Sequence, residues 1–258
     1  MKISRKNFPF LAGSMALILA ALACAPFSSS TPSTNTQVPP PPRPVNTVPS
    51  LPTLELPTPT EEYPPAFFTE EFSYYLENWS FYVHQGDSSS YSEKYEDDML
   101  VMQLDEEDLY VYYIYEPWLY EDVLVEVTTT NMGRNSNNIN IICRSSDYGW
   151  YEFTVQNDGL YSIWAYDKAG GTDYNLLWNG ASAAIEQGKG TNTIGVACIG
   201  TSEGTQLSIY VNYQELKTFT EKSYYFPEGQ VGFGLNVSPS NPVLPVIVGF
   251  QYLTISEP

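Results

Sequence analysis

Histidine and positive charge are the scarcest features of this sequence: one histidine and 11 lysines and arginines stand in 258 residues, against 30 acids. A single imidazole, His84 on the alternating run Trp79–His84, and no Gly-x-Ser-x-Gly elbow leave nothing that argues for a serine-type triad. The same scarcity excludes a zinc site of the usual His/Cys kind. Three of the bases, Lys2, Arg5 and Lys6, precede Cys24 with no acid among them; without them eight bases face 30 acids, a net charge of −22. A surface of that sign repels phosphate, so nucleic acid and anionic headgroups are excluded as partners. Neutral polymers, cations and basic proteins remain. Helical periodicity is also missing throughout, and there are only three cysteines.

The N-terminus has the plan of an export signal. A basic start is followed by the apolar run FPFLAGSMALILAALA from Phe8 to Ala23, then Cys24. Ala21-Leu22-Ala23-Cys24 resembles the lipobox of bacterial lipoproteins, in which the cysteine becomes lipidated and N-terminal; leucine stands one place later than is usual. The alternative is an uncleaved membrane helix, because Phe8 to Phe27 is nearly long enough to span. Under either reading the basic residues stay inside and the rest of the chain lies outside the cytoplasmic membrane, which it touches only through its anchor. The expected organisation is a signal peptide over 1–23, a lipidated Cys24 and linker over 24–65, and one domain over 66–258. The linker holds 13 of the 20 prolines, with Ser, Thr and Asn between them, and so reads as a semi-stiff spacer without a core.

Beyond the linker, β-branched and aromatic runs recur with turn signals between them: Trp79–His84, Met99–Leu104, Tyr110–Tyr115, Val123–Thr130, Asn138–Ser145, Trp150–Val155, Tyr161–Asp167, Thr193–Ile199, Gln206–Val211, Glu215–Thr220, Gln230–Leu235 and Val246–Ile255. Twelve short strands without a helix predict an all-β, two-sheet antiparallel sandwich. Side-chain alternation puts Ile139, Ile141 and Cys143 on one face, and Ile194, Val196 and Cys198 on another. Both cysteines thus sit on apolar stripes. Outside the cytoplasm they can form a disulfide closing a loop worth about 4 kcal/mol; the alternative is two buried thiols.

The stretch ICRSSDYGWYEFTVQNDGLYSIWAYDKAG, ending at Gly170, resembles the central hairpins of concanavalin A-like (laminin G-like) jelly rolls. Arg144, Asp147, Trp150, Tyr151, Phe153, Asp158, Gly159 and Tyr161 stand where that family has an Arg-x-x-Asp segment, an aromatic strand, an Asp-Gly turn and a second strand with tyrosine. LSIYVNYQELKTFT, GQVGFGL and FQYLTI resemble later strands, although Asn212-Tyr213 lacks the usual turn glycine. The resemblance implies a sandwich with one concave face that binds glycans or surface proteins. It also implies kinship with sugar hydrolases, including those acting on 3-keto-disaccharides.

The candidate binding residues are Arg144, Asp147, Trp150, Glu152, Trp164, Tyr166 and Trp178, since sugar rings stack on aromatics while polar neighbours bond their hydroxyls. Parity turns Trp150 and Glu152 away from Tyr151, Phe153 and Val155, and Trp164 and Tyr166 away from Ile163 and Ala165. For catalysis, two carboxylates must flank the scissile bond. The nearest run, Glu121-Asp122-Val123-Leu124-Val125-Glu126, puts Asp122 and Glu126 on one face with Glu121 opposed, and no catalytic residue is assigned. Calcium is the one cofactor the acids could hold, with Asp97, Asp98 and Asp105 as ligands. The readings carried forward are a non-enzymatic glycan or surface-partner module, an extracellular sugar hydrolase, and a structural envelope component.

Overall fold

The computed structural model describes residues 63–258, apart from 136, 172 and 241. The expected signal peptide, Cys24 and most of the linker lie outside the described residues. Fifteen strands and one short 3-10 turn make up the rest. In chain order they are β1 (Phe68–Glu70), β2 (Trp79–Gln85), β3 (Tyr91–Glu96), β4 (Met99–Leu104), β5 (Tyr110–Tyr115), β6 (Val123–Asn131), β7 (Asn137–Ser145) and β8 (Gly149–Gln156). There follow β9 (Leu160–Asp167), β10 (Asp173–Ala181), β11 (Thr191–Thr201), β12 (Gly204–Val211), β13 (Gln214–Glu221), β14 (Gln230–Val237) and β15 (Val246–Ser256).

They form two antiparallel sheets. The eight-stranded sheet runs β13-β12-β11-β6-β15-β4-β3, with β1 added along the free half of β15. The seven-stranded sheet runs β10-β9-β8-β7-β14-β5-β2. Chain neighbours such as β6 and β7 fall in different sheets, so the two layers are interwoven. This is a jelly-roll sandwich.

The inner faces follow the predicted alternation. Val123, Val125 and Val127 of β6 pack against Tyr151, Phe153 and Val155 of β8 and Ile139, Ile141 and Cys143 of β7 within one apolar core. Cys143 of one sheet and Cys198 of the other are fully buried and joined by a disulfide, Cα to Cα 6.6 Å apart. The bridge therefore crosses the sandwich and ties layer to layer.

All twelve expected strands are present; β1, β3 and β10 are additional. The chain just ahead of β1 is docked on the sandwich. Trp118 Nε1 donates to the carbonyl of Pro64, Tyr115 Oη to that of Pro65 and Tyr120 Oη to that of Ala66, at 2.7, 2.7 and 2.6 Å. Tyr63 returns a hydrogen bond to Pro117 O at 2.6 Å and sets its ring edge-on to Trp118. Proline has no N–H to give, so its carbonyls are what a docking surface can read.

Candidate functional site

The outer face of the seven-stranded sheet is built in cross-strand rows, because directly opposed residues share a face. One row reads Tyr82, Tyr112, Gly234, Asn140, Thr154 and Ser162; the next reads Ser80, Ile114, Gly232, Ile142, Glu152 and Trp164. Tyr110, Asn236, Asn138 and Gln156 form a third row, and Trp150 opposes Tyr166 beyond Glu152.

This face is strongly concave. His84 on β2 and Tyr166 on β9 are five strands apart, which is about 24 Å across a flat sheet. Their ring centroids nevertheless lie 5.0 Å apart. The flanks have curled until they touch, and His84 also reaches Trp150 at 5.7 Å and Tyr174 at 5.8 Å. The floor of the bend is glycine. A Cβ on Gly234 would stand 2.4 Å from the Tyr112 ring, and one on Gly232 2.5 Å from Ile114 Cδ1. Only bare backbone at those two positions lets the β5 side chains lie across the trough.

The result is a second apolar cluster outside the main core: Tyr112, Ile114, Ile142, Trp150 and Tyr166, flanked by Tyr82, Tyr110 and Tyr174. Glu152 is buried beneath it. Its Oε2 accepts from Tyr112 Oη at 3.0 Å, Trp150 Nε1 at 3.1 Å and Tyr174 Oη at 3.3 Å. Burial pushes the carboxyl up to about 7, although all three hydrogen bonds favour the ionised form. The phenols of Tyr82, Tyr110, Tyr112 and Tyr174 are held above their ordinary value, first by burial and next by the charge of Glu152. His84 is pushed down by burial and by the cation of Lys168, which sits 5.2 Å over the Trp150 ring.

Beside this aromatic bridge the trough stays open as a cleft of about 310 Å³. Glu152 stands at its head. Thr154, Gln156, Asn138, Asn236 and Ser238 continue it along the floor and far end, and Trp164 and Tyr174 form an aromatic wall. Thr154 Oγ1 donates to Asn140 Oδ1 at 3.0 Å, and Asn140 Nδ2 to Asn236 Oδ1 at 2.8 Å. Trp164 is held by Nε1 donating to Ser162 Oγ at 2.7 Å. Among the described residues Asn138 Oδ1 has no hydrogen-bond partner. Apolar rings beside hydroxyls, amides and one unsatisfied amide oxygen suit a ligand with both C–H and hydroxyl surface.

Four of the seven binding candidates, Trp150, Glu152, Trp164 and Tyr166, meet on this face. Trp150 and Glu152 point outward as parity requires, but the curled flanks bury them to 2% and 3% exposure, so Trp150 is part of the floor rather than an exposed platform. The other three candidates lie elsewhere. Arg144, also buried, spends its guanidinium on Glu121 O, Thr205 Oγ1 and Phe226 O, bracing loops at one end of the sandwich. Asp147 is exposed in the β7–β8 turn. A bulge between Leu176 and Trp178 turns Trp178 out of the row, and it stacks under Lys217 Nζ at 3.7 Å on the opposite side of the sheet.

The proposed calcium ligands do not meet either. Asp97 and Asp98 make the β3–β4 turn, both with positive φ, while Asp105 follows the far end of β4 and accepts from Gln103 Nε2. Six residues of strand, about 20 Å, separate them. Among the described residues no group of three or more His, Cys, Asp or Glu could hold a metal. Asp122 accepts from the Gly200 amide at 2.6 Å, and Glu126 lies on the outer face of the other sheet, opposite Gly195 and Thr254.

His84, Tyr112, Asn138, Asn236 and Ser238 were not among the sequence candidates. The alternation Tyr110, Tyr112, Ile114 against Val111, Tyr113, Tyr115 did signal a second aromatic face on β5. Nothing local signalled that β2 would reach β9.

The geometry defines a class: a two-sheet, concanavalin A-like jelly roll with one concave, aromatic-lined face. No family model matches this sequence, and no curated protein matches it. Solved structures match its shape. A prokaryotic β-1,3-1,4-glucanase (lichenase) from a mouse hindgut metagenome gives a TM-score of 0.55 at 10% identity, covering 75% of this chain and 100% of that one. A Bacteroides ovatus mixed-linkage-glucan enzyme of glycoside hydrolase family 16, in complex with product, gives 0.54 at 12%, covering 73% and 99%. A Bacillus subtilis protein of unknown function with a galectin-like fold gives 0.54 at 8%, covering 75% and 96%. At these identities the likeness is one of fold.

Proposed function

We propose that this chain is a non-enzymatic glycan-binding module, and that the cleft on the concave face of the seven-stranded sheet is its site. The observation that carries the reading is the composition of that cleft: Trp164 and Tyr174 on one wall, and Asn138, Thr154, Gln156, Asn236 and Ser238 along the rest. A sugar offers apolar ring faces to the first set and hydroxyls to the second. The shared fold with glucanases supports the reading as analogy only. We also propose that the module is exported and held at the outer surface of the cytoplasmic membrane by a lipid on Cys24, with the proline-rich segment as spacer. Palmitate labelling that disappears in Cys24→Ala tests the anchor.

A glycan panel that includes mixed-linkage β-glucan tests the site. Trp164→Ala is expected to weaken binding at least tenfold, about 1.4 kcal/mol, as loss of an aromatic anchor does. Binding that survives both Trp164→Ala and Tyr174→Ala at full strength places the ligand elsewhere.

A hydrolase is the second reading, favoured by one observation: a buried carboxyl raised to about 7 is the form a general acid takes. The usual mechanism needs a second carboxylate within about 5–10 Å. The face positions next to Glu152 are Trp150 and Thr154 on its own strand and Ile142 and Trp164 across. Turnover of a chromogenic glycoside or 3-keto-glycoside, lost in Glu152→Gln, would install this reading in place of the first.

A further inference from the structure

All three donors that reach Glu152 converge on one oxygen. Tyr112, Trp150 and Tyr174 bond Oε2, and among the described residues Oε1 has no hydrogen-bond partner, while the side chain lines the head of the cleft. This asymmetry decides where a proton goes. Tyr112 Oη and Tyr174 Oη also lie 3.2 Å apart, and even with one phenol donating to the other, two hydrogens still reach Oε2, so the neutral acid carries its own on Oε1, toward the cleft. The ionised form would instead present a bare, half-desolvated oxygen there.

We propose that Glu152 Oε1–H is the ligand anchor of the cleft, donating a hydrogen bond to an acceptor oxygen of an uncharged sugar, and that the site therefore binds in its protonated form. This rests on the glycan reading and adds the polarity of the contact, the charge class of the ligand and a pH dependence. An uncharged ring that seals the cleft removes the last water from Oε1, so binding and proton uptake reinforce one another. The other titratable groups on this face are shifted away from neutrality, Tyr166 of β9 among them as a phenol raised by burial. Tyr82 from β2, Tyr110 and Tyr112 from β5, and Tyr174 from β10 are phenols raised by burial, and His84 from β2 is lowered by burial and by Lys168, so Glu152→Gln, which keeps His84, separates the two groups in the test below. Lys168, after β9, is exposed over Trp150. The strands β7 and β14 contribute only Ile142, amides and glycine beside Glu152.

Two measurements on the whole chain test the inference. The first needs no ligand: the Glu152 carboxyl carbon is followed by NMR as pH rises, assigned by its absence in Glu152→Gln. A midpoint near neutrality is expected; a midpoint in the ordinary glutamate range overturns the proposal whatever the protein binds. The second uses a mixed-linkage β-glucan tetrasaccharide and a panel of neutral oligosaccharides as probes at pH 6 and pH 8. For the wild type, affinity is expected to fall about tenfold between them. Glutamine offers a permanent N–H at the same place, so Glu152→Gln should bind equally at both pH values, near the wild-type level of pH 6. Glu152→Ala should bind weakly at both. Affinity that rises with pH, or Glu152→Gln that behaves like Glu152→Ala, overturns the anchor but leaves glycan binding standing. Failure of every probe at both pH values, with a neutral titration midpoint, overturns the glycan reading and the anchor with it.

Discussion

The two outward faces of the sandwich are made of the same kind of strand and end in opposite conditions. On the eight-stranded sheet, β6 alternates strictly between buried and half-buried, and its outward residues Leu124, Glu126, Thr128 and Thr130 meet water. That face is dressed with hydroxyl pairs, Thr128 with Thr193 at 3.0 Å and Thr130 with Thr191 at 2.8 Å. On the seven-stranded sheet, β8 is buried at every position but its last. Its outward side holds the Trp150 indole and the Glu152 carboxyl ahead of Thr154 and Gln156. The first arrangement is an ordinary solvated sheet surface. The second buries a titratable acid that the fold does not need, and desolvating such a group costs stability unless something else gains from it. The concave face is therefore where the fold carries a cost that the other face does not.

Substitutions can break or sharpen that contrast. The largest effect should come from Trp150→Ala, which removes a ring buried to 2% exposure; a loss of about 3–5 kcal/mol in urea unfolding is expected. A loss below 1 kcal/mol would show that the second cluster is not packed. Next comes Glu152, whose carboxyl moves from an ordinary 4.5 to about 7 on folding. Between those values the folded chain keeps a proton that the unfolded chain has released, so stability falls as pH rises through that window and stays low above it. The decline is about 3 kcal/mol in total. Glu152→Gln should remove the slope and unfold at higher urea than wild type at pH 8; parallel pH profiles for the two proteins would contradict the burial of this acid. On the other face, Thr128→Ala together with Thr193→Ala should cost about 1 kcal/mol or less, the scale of one cross-strand pair. Glu126→Gln should be smallest, within about 0.5 kcal/mol at any pH, as surface changes usually are. A large effect there would mean that the eight-stranded face is also built for something.

How much of this could be read from the chain depends on range. Alternation is a local property, and it identified twelve strands, the inward faces of β7, β8 and β11, and the cysteine pair that crosses between sheets. Where local pattern was weak, strands escaped notice. β3 reads Tyr-Ser-Glu-Lys-Tyr-Glu because it is an edge strand with little to bury, and β10 is broken by its bulge at Trp178. Parity gave the direction of Trp150, Glu152, Trp164 and Tyr166 but not their burial. That burial comes from curvature, which brings β2 to β9 across five strands, and nothing within either strand encodes such a meeting. Arg144 and Asp147 were candidates as the Arg-x-x-Asp pair of the family resemblance and as polar neighbours of the aromatics. In the fold the positive φ of Arg144 at the end of β7 turns its side chain toward loop carbonyls instead of the cleft.

The docking of Pro64, Pro65 and Ala66 bears on how the module withstands a pull. A load applied to the chain ahead of Tyr63 reaches four aromatic hydrogen bonds before it reaches β1. Tyr115 belongs to the seven-stranded sheet, whereas β1 adds to the eight-stranded one through β15. Tension is thus divided between the two layers at its point of entry, and the covalent link from Cys143 to Cys198 keeps them from sliding apart. On the tethered, glycan-binding reading proposed above, a pull between anchor and ligand would enter the domain by this path.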